Sequence, residues 1–521
     1  MFETAHSVLT VLIFFPLAAC LGLILLRHET AIRYYTLGAL VLELALAMPL
    51  LGFDPAAGGF QFVQKVPWVE AWGLFYHVGL DGISLFMVAL TVAIMPLCVL
   101  CSWRYISRRV KEFHFCLLFM TSACVGVFSA LDFVLFYIFW EAMLVPMYLL
   151  IAVWGGPDRR YASIKFFLYT LAGSTLLLVA LIAFRYVGGT FSIPELMTGD
   201  YAFGFQCWTF LAMALAFAIK VPMFPFHTWL PAAHVQAPTA GSVILAAILL
   251  KMGTYGFLRF TLPLTPDASH FFAPLMIAFS IASIIYGGAV ALSQTDIKKI
   301  IAYSSVGHMG FVTLGIFLFN LRGLEGALFQ MLNHGITTGA LFMMVGAVYE
   351  RSHSREVTDN MGMGKYLPAY MGFWGLFAFS SFGFPGTNSF VGELLVMLGA
   401  FEVKTWIGLA TVPGALLAAA YMLRLTQKMA WGAPANAATW KDLNKREWLY
   451  LLPLAFFVLY IGLAPTPLFK VMDPSLKTVT ARLQTEPTAV AGHSGPQSNE
   501  ASAKRAILLT DAKPHNPAQE R

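Results

Sequence analysis

Stretches of about 20 apolar residues, each bounded by charge, Gly or Pro, follow one another from residue 8 to about residue 470. About fourteen of them can be read, starting near residues 8, 32, 83, 114, 132, 162, 207, 239, 271, 299, 325, 370, 405 and 447. Hydrophobic residues make up 58% of the chain and charged ones 12%. That leaves too little polar surface to shield so many apolar helices from water, so the expected fold is an all-α polytopic membrane protein. Residues 1–113 should hold the first three spans, 114–260 and 271–431 two groups of five, and 432–471 the last span. Residues 472–521 are rich in Ala, Thr, Ser, Pro and charge, and a disordered polar tail is expected there.

Lys and Arg positions set the orientation of such a chain. One set of alternate loops holds Arg27 and Arg33; Arg104, Arg108, Arg109 and Lys111; Arg159, Arg160 and Lys165; Lys298 and Lys299; Arg351, Arg355 and Lys365; and Arg424, Lys428, Lys441, Lys445 and Arg446. The other set holds Lys65, Arg185, Arg259, Arg322 and Lys404. Nineteen against five places the first set in the cytoplasm and both termini on the outer side. The net charge of +6 is then a consequence of topology, and no nucleic-acid partner is needed to explain it.

Several motifs are set aside on physical grounds. Leu17-Ala18-Ala19-Cys20 has the form of a lipoprotein cleavage box, but no Lys or Arg precedes it and the apolar run continues past the cysteine, so an uncleaved helix is expected. Cys98 and Cys101 share a helix face without a second pair or a nearby His, which reads as core packing rather than a metal site. Gly362-Met363-Gly364-Lys365 lacks the upstream glycine and the hydroxyl residue of a phosphate loop. No dinucleotide fingerprint, iron–sulfur cysteine run or haem motif is present, so no cofactor or metal is expected in this chain.

What remains is a handful of charges inside apolar runs: Glu141, Lys220, Lys251 and Glu393. A charge at the centre of a membrane helix costs about 2.5 to 3.5 kcal/mol on insertion scales, and such residues line ion or proton paths. Lys220 is followed by Val221-Pro222-Met223-Phe224-Pro225, a helix break, and Glu393 follows a second break at Gly383-Phe384-Pro385-Gly386. Counting spans 4 to 8 and 9 to 13 as two five-helix repeats puts each break in the fourth helix of its repeat, and an odd helix count inverts the second copy. The distance between Glu141 and Lys220 would set how tightly the lysine holds its proton.

The segments Phe139-Trp140-Glu141, Lys220-Val221-Pro222, His227-Thr228-Trp229-Leu230-Pro231, Ala237-Pro238-Thr239-Ala240-Gly241-Ser242-Val243, Leu250-Lys251 and Tyr303-Ser304-Ser305-Val306-Gly307-His308-Met309-Gly310 closely resemble the antiporter-like membrane subunits of respiratory complex I, over roughly residues 80 to 430. Within that family, Phe384-Pro385-Gly386-Thr387 leading to Glu393 resembles the branch of NADH:quinone oxidoreductase membrane subunits that carries a glutamate in the broken twelfth span. The sister subunits L and N carry a lysine at that point. The resemblance implies a proton-translocating subunit of a bacterial inner-membrane complex, flanked by L and N. NADH, FMN, iron–sulfur clusters and quinone would be handled by partner subunits. It further implies that Lys220 exchanges a proton with Lys251, that His308 and His334 line the next stretch of a hydrated axis, and that Glu393 is the last site before the outer exit.

The nearest alternatives are a Na+/H+ antiporter subunit and the membrane subunit of a membrane-bound hydrogenase. A passive scaffold, or a quinone slot lined by the 15% aromatic residues, is a more distant reading. Other polar residues have simpler expectations. Asp81 and Asp132 should cap the third and fifth spans, and Asp296, Lys298 and Lys299 should form a solvated anchor. Glu43 is an intramembrane acid that a neighbouring subunit would meet. For His227 and His234, a proton inlet and plain helix capping both stay open.

Overall fold

The computed structural model describes residues 8–433 and 437–484. Thirteen of its helices are long and apolar enough to cross a membrane, from Val8–Leu25 to Lys445–Leu463. Between Leu321–Ser352 and Thr405–Trp431 lies a pair of shorter helices, Pro368–Ser381 and Asn388–Val403, where the twelfth span was expected. Helices end at both expected breaks, one at Lys220 and one at Ser381.

Burial separates the spans into two kinds. The eighth, Thr239–Leu264, is 100% buried, and Leu321–Ser352 and Ile297–Phe317 are nearly so; Val8–Leu25 and Arg159–Gly188 bury only 39%. A helix apolar on all sides with an outward half exposed is one that faces lipid, whereas a fully enclosed helix can carry charge only where protein surrounds it. Lys251 sits on the enclosed span.

Each break satisfies the backbone groups it frees. Pro222 has no N–H to give the Ala218 carbonyl, which accepts instead from Met223 N at 2.8 Å. The Ile219 carbonyl accepts from the Trp229 indole at 2.8 Å, and Phe224 N donates to Ser283 Oγ at 2.8 Å. At the second break the turn is made by Gly383 and Gly386, with φ of 72° and 90°, a left-handed conformation that suits residues without a Cβ.

Two elements differ from the sequence expectation. Between the second and third spans the chain forms an antiparallel hairpin, β1 (Gln61–Val69) and β2 (Leu74–Leu80), with Lys65 opposite His77. It docks on the fourth and fifth spans: Leu131 N donates to the His77 carbonyl at 2.8 Å, and Asp132 accepts from Val134 N and Leu135 N as the expected cap. The polar tail expected to be disordered from residue 472 instead begins as a helix, Thr466–Gln484. Its amphipathic side is held by Phe469 stacked on Phe329 at 4.7 Å and by Ser475 Oγ accepting from Gly82 N at 2.9 Å. Residues 485–521 of that tail lie outside the described residues.

The last span is tied in by a two-pronged ion pair. Arg351 donates to both carboxylate oxygens of Glu447, at 2.8 and 2.7 Å, and Glu447 also closes a capping box with Asn444.

Candidate functional site

The fully buried eighth span departs from regular helix twice, at Leu245–Leu249 and Phe257–Thr261, where the backbone widens to an i→i+5 ladder. Lys251 stands between the two wide turns. Its Nζ donates to the Ala246 carbonyl of the first, at 2.5 Å, and lies 2.7 Å from His334 Nδ1 on the eleventh span. His334 Nε2 is buried with no hydrogen-bond partner, and its ring centre is 5.9 Å from that of His308 on the tenth span. His308 Nδ1 is 2.7 Å from Glu393 Oε1, and its Nε2 is 3.2 Å from the Tyr421 hydroxyl. Gln330 donates to the same Glu393 oxygen at 3.0 Å.

Four of the expected residues thus form one series across the middle of the protein: Lys251, His334, His308, Glu393. All are buried, and they belong to the eighth, eleventh, tenth and twelfth spans. The second break places the last of them. The turn at Gly383 lets Asn388–Val403 start close by, and a Cβ at Gly383 would come 3.3 Å from Glu393 Oε2.

The other two expected residues meet differently. The fifth span is interrupted at Met143, between Phe133–Ala142 and Leu144–Trp154, because Pro146 has no N–H to return to the Ala142 carbonyl. Glu141 and Met143 flank this interruption. Lys220, the last helical residue before its own break, is buried with Nζ 3.4 Å from Met143 Sδ and 5.0 Å above the Trp140 ring. Among the described residues, Glu141 and Lys220 make no direct ion pair, and Glu141 Oε1 is buried without a hydrogen-bond partner. A weak sulfur acceptor and an aromatic face hold the ammonium in place of a carboxylate.

Three other expectations are corrected. Lys298 is not a solvated anchor: it is buried, its Nζ donating to the Ala237 carbonyl at 2.8 Å and lying 3.3 Å from Ser242 Oγ, beside a cavity of about 270 Å³. Arg259, expected in an outer loop, is enclosed in the eighth span and paired with Asp81 at 2.5 Å. Glu43 is 1% exposed, so its side chain is covered by this chain rather than presented on its surface. His234 lies within the helix Trp229–Gln236 and stacks flat on Phe342 at 4.6 Å. Sequence reasoning did not single out Met143, Gln330 or Tyr421, whose roles depend on contacts between spans. The proline two turns past Trp140 was the available signal for the first.

Against known proteins, a family model described as NADH:quinone oxidoreductase/Mrp antiporter, transmembrane, matches residues 130–418. NADH-quinone oxidoreductase subunit M of Rhodobacter capsulatus is 43% identical over 493 residues, which cover 90% of this chain and 96% of that protein. NADH-ubiquinone oxidoreductase chain 4 of Chondrus crispus is 43% identical over 416 residues, covering 79% and 85%. A chain in the structure of respiratory complex I from Thermus thermophilus with bound NADH overlays with a TM-score of 0.85 at 29% identity, covering 91% of this chain and 99% of that one.

Proposed function

The chain belongs to the NADH:quinone oxidoreductase/Mrp antiporter family, in its complex I subunit M and chain 4 branch, and from that premise we propose that it moves protons along its buried Glu, Lys and His residues. The observation that carries this reading is the Lys251, His334, His308, Glu393 series: the first and last pairs are each 2.7 Å apart, and the two imidazole ring centres between them are 5.9 Å apart.

The Lys251 ammonium gives a proton to His334 Nδ1. The imidazolium so formed releases its other proton from Nε2, the nitrogen that has no competing partner. His308 takes a proton on Nε2, beside Tyr421, and passes one from Nδ1 to the Glu393 carboxylate. Gln330 holds that oxygen in place. Lys220 refills Lys251, and Glu141 controls how readily Lys220 lets go.

Redox chemistry of NADH, FMN, iron–sulfur clusters and quinone belongs, on this proposal, to partner subunits, with the sister subunits L and N on either side. The bacterial relatives support a plasma membrane location, and the Lys and Arg distribution supports both termini outside. Reconstituted complexes carrying Lys251→Met test the proposal. Assembly should be preserved while protons moved per NADH fall. Unchanged stoichiometry in an assembled complex would remove Lys251 from the path.

A further inference from the structure

The series that leads from Lys251 to Glu393 runs sideways through the protein, yet a second polar series leaves the same lysine along its own helix. Tyr255 and Arg259 follow Lys251 at successive turns of the eighth span, toward the end at Leu264 that faces the Lys/Arg-poor side. The Tyr255 hydroxyl donates to the Phe128 carbonyl at 3.2 Å, lies 3.3 Å from Ser84 Oγ and accepts from Arg259 Nε at 3.2 Å. Arg259 Nη2 donates to Asp81 Oδ1 at 2.5 Å and to Ser84 Oγ at 3.0 Å, and its guanidinium lies 5.0 Å from the Phe60 ring. Hydroxyls and charges in a row below a proton-carrying lysine would be a short route to the outer surface, bypassing His334, His308 and Glu393.

We propose that Arg259, fixed by Asp81, is the plug of that short route: a permanent buried cation that keeps protons on Lys251 from leaking outward and so commits them to the lateral path. A guanidinium does not release its proton in proteins, so it cannot serve as a relay, and its charge repels a hydrated proton approaching through the hydroxyls. The wide turn Phe257–Thr261 carries Arg259, and the following segment Leu262–Leu264 is completely enclosed. Asp81 is immobilised in turn, accepting from Ile83 N at 3.1 Å and Ser84 N at 2.9 Å at the start of the third span. The helix Thr466–Gln484 seals the outside of this turn. Gly82 N donates to Ser475 Oγ, and a Cβ on Gly82 would come 2.2 Å from the Val471 carbonyl.

The inference rests on Lys251 carrying protons, and its test is separate from the test of that reading. The double variant Asp81→Asn with Arg259→Gln removes both charges and leaves no unpaired one buried. In proteoliposomes holding the assembled complex and no NADH, an imposed pH gradient should collapse about tenfold faster than with the unaltered complex. Adding Lys251→Met to the double variant should restore a tight membrane, because the leak starts at that residue. A double variant that assembles and stays tight overturns the proposal; a leak that persists without Lys251 overturns the route. Should the double variant fail to assemble, Arg259→Lys decides. It keeps the ion pair and the fold but introduces a cation able to give up its proton, so the plug predicts a leak and a purely structural pair predicts none. Loss of pumping in Lys251→Met by itself bears on the lateral path and leaves the leak assay unaffected.

Discussion

The two halves of the protein hold their buried charges in opposite ways. Around Glu393 hydrogen-bond partners are supplied: Glu393 has His308 and Gln330, and His308 has Tyr421. Around Lys220 they are withheld: the ammonium rests on a thioether and an indole face, and Glu141 keeps an oxygen without a partner. A satisfied buried network resists rearrangement, whereas an unsatisfied pair gains by any movement that brings its members together. The Glu393 site therefore has the build of a fixed arrangement, and the Lys220 site that of a switch biased by small shifts at the Met143 and Pro222 breaks.

Removing the switch should have the largest effect. Lys220→Ala is expected to lower proton pumping and NADH:quinone turnover together by roughly 10²-fold, the low side of what a positioned proton-transfer group supplies, with the complex still assembled. Native gel analysis beside pumping in proteoliposomes would show it. An assembled complex that pumps normally would leave the lysine as packing and erase the contrast between the halves. Glu393→Gln probes the fixed site. The amide keeps the shape and the contact with Gln330 but cannot take a proton, so pumping should fall severalfold, by less than for Lys220→Ala if neighbouring waters partly replace it. An equal or larger loss would make the two halves alike in function despite their different build.

Met143→Leu sharpens the comparison further. Leucine fills nearly the same volume without the sulfur acceptor, so folding should change by less than about 1.5 kcal/mol. The Lys220 ammonium loses its sulfur acceptor, keeps only the Trp140 face, and should move toward Glu141. The pH profile of pumping should shift relative to the unaltered complex, while the equivalent profile of a Tyr421→Phe variant at the Glu393 site should keep its midpoint and lose amplitude. Identical profiles for the two variants would mean that Met143 does not hold the switch open.

Much of this was legible in the chain because membrane helices announce themselves by length and polarity, and a charge inside one stands out against its apolar neighbours. Glu141, Lys220, Lys251 and Glu393 are visible on those grounds, and both breaks are visible from Pro and Gly. Which charges touch is a different matter. Lys251 and His334 are 83 residues apart and His308 and Glu393 85, and nothing local encodes those pairings. Arg259 read as a loop residue because a lone arginine near a span end ordinarily reaches water; its burial follows from Asp81, 178 residues away. The hairpin at residues 61–80 was hidden by the search for apolar runs. Its β-branched and aromatic residues around Gly73 were the signal that a strand reading would have used. The helix Thr466–Gln484 was masked by the polar composition of the segment it opens, since its structure is set by docking on Phe329 and Gly82 rather than by a continuous apolar run.

The smallest expected effect concerns how the first half is clamped at its hairpin end. Burial, and then the Lys65 ammonium, push the His77 imidazole down from 6.5 to about 4. Between those values the folded hairpin binds fewer protons than the unfolded chain does. The stability that depends on a neutral His77 is therefore fully present above pH 6.5 and declines as pH falls toward 4. Because β2 holds the Leu131 amide through the His77 carbonyl, that amide should exchange with deuterium faster at about pH 5 than at about pH 7, after correction for the intrinsic rate. The Gly323 amide in the second half is bonded at 2.8 Å to Asn320 Oδ1, an acceptor that does not titrate, and serves as the comparison. His77→Gln should flatten the difference, since a glutamine of similar size does not titrate. If Leu131 and Gly323 respond alike, the hairpin is not a pH-sensitive clamp, and the contrast between the halves is confined to their membrane interior.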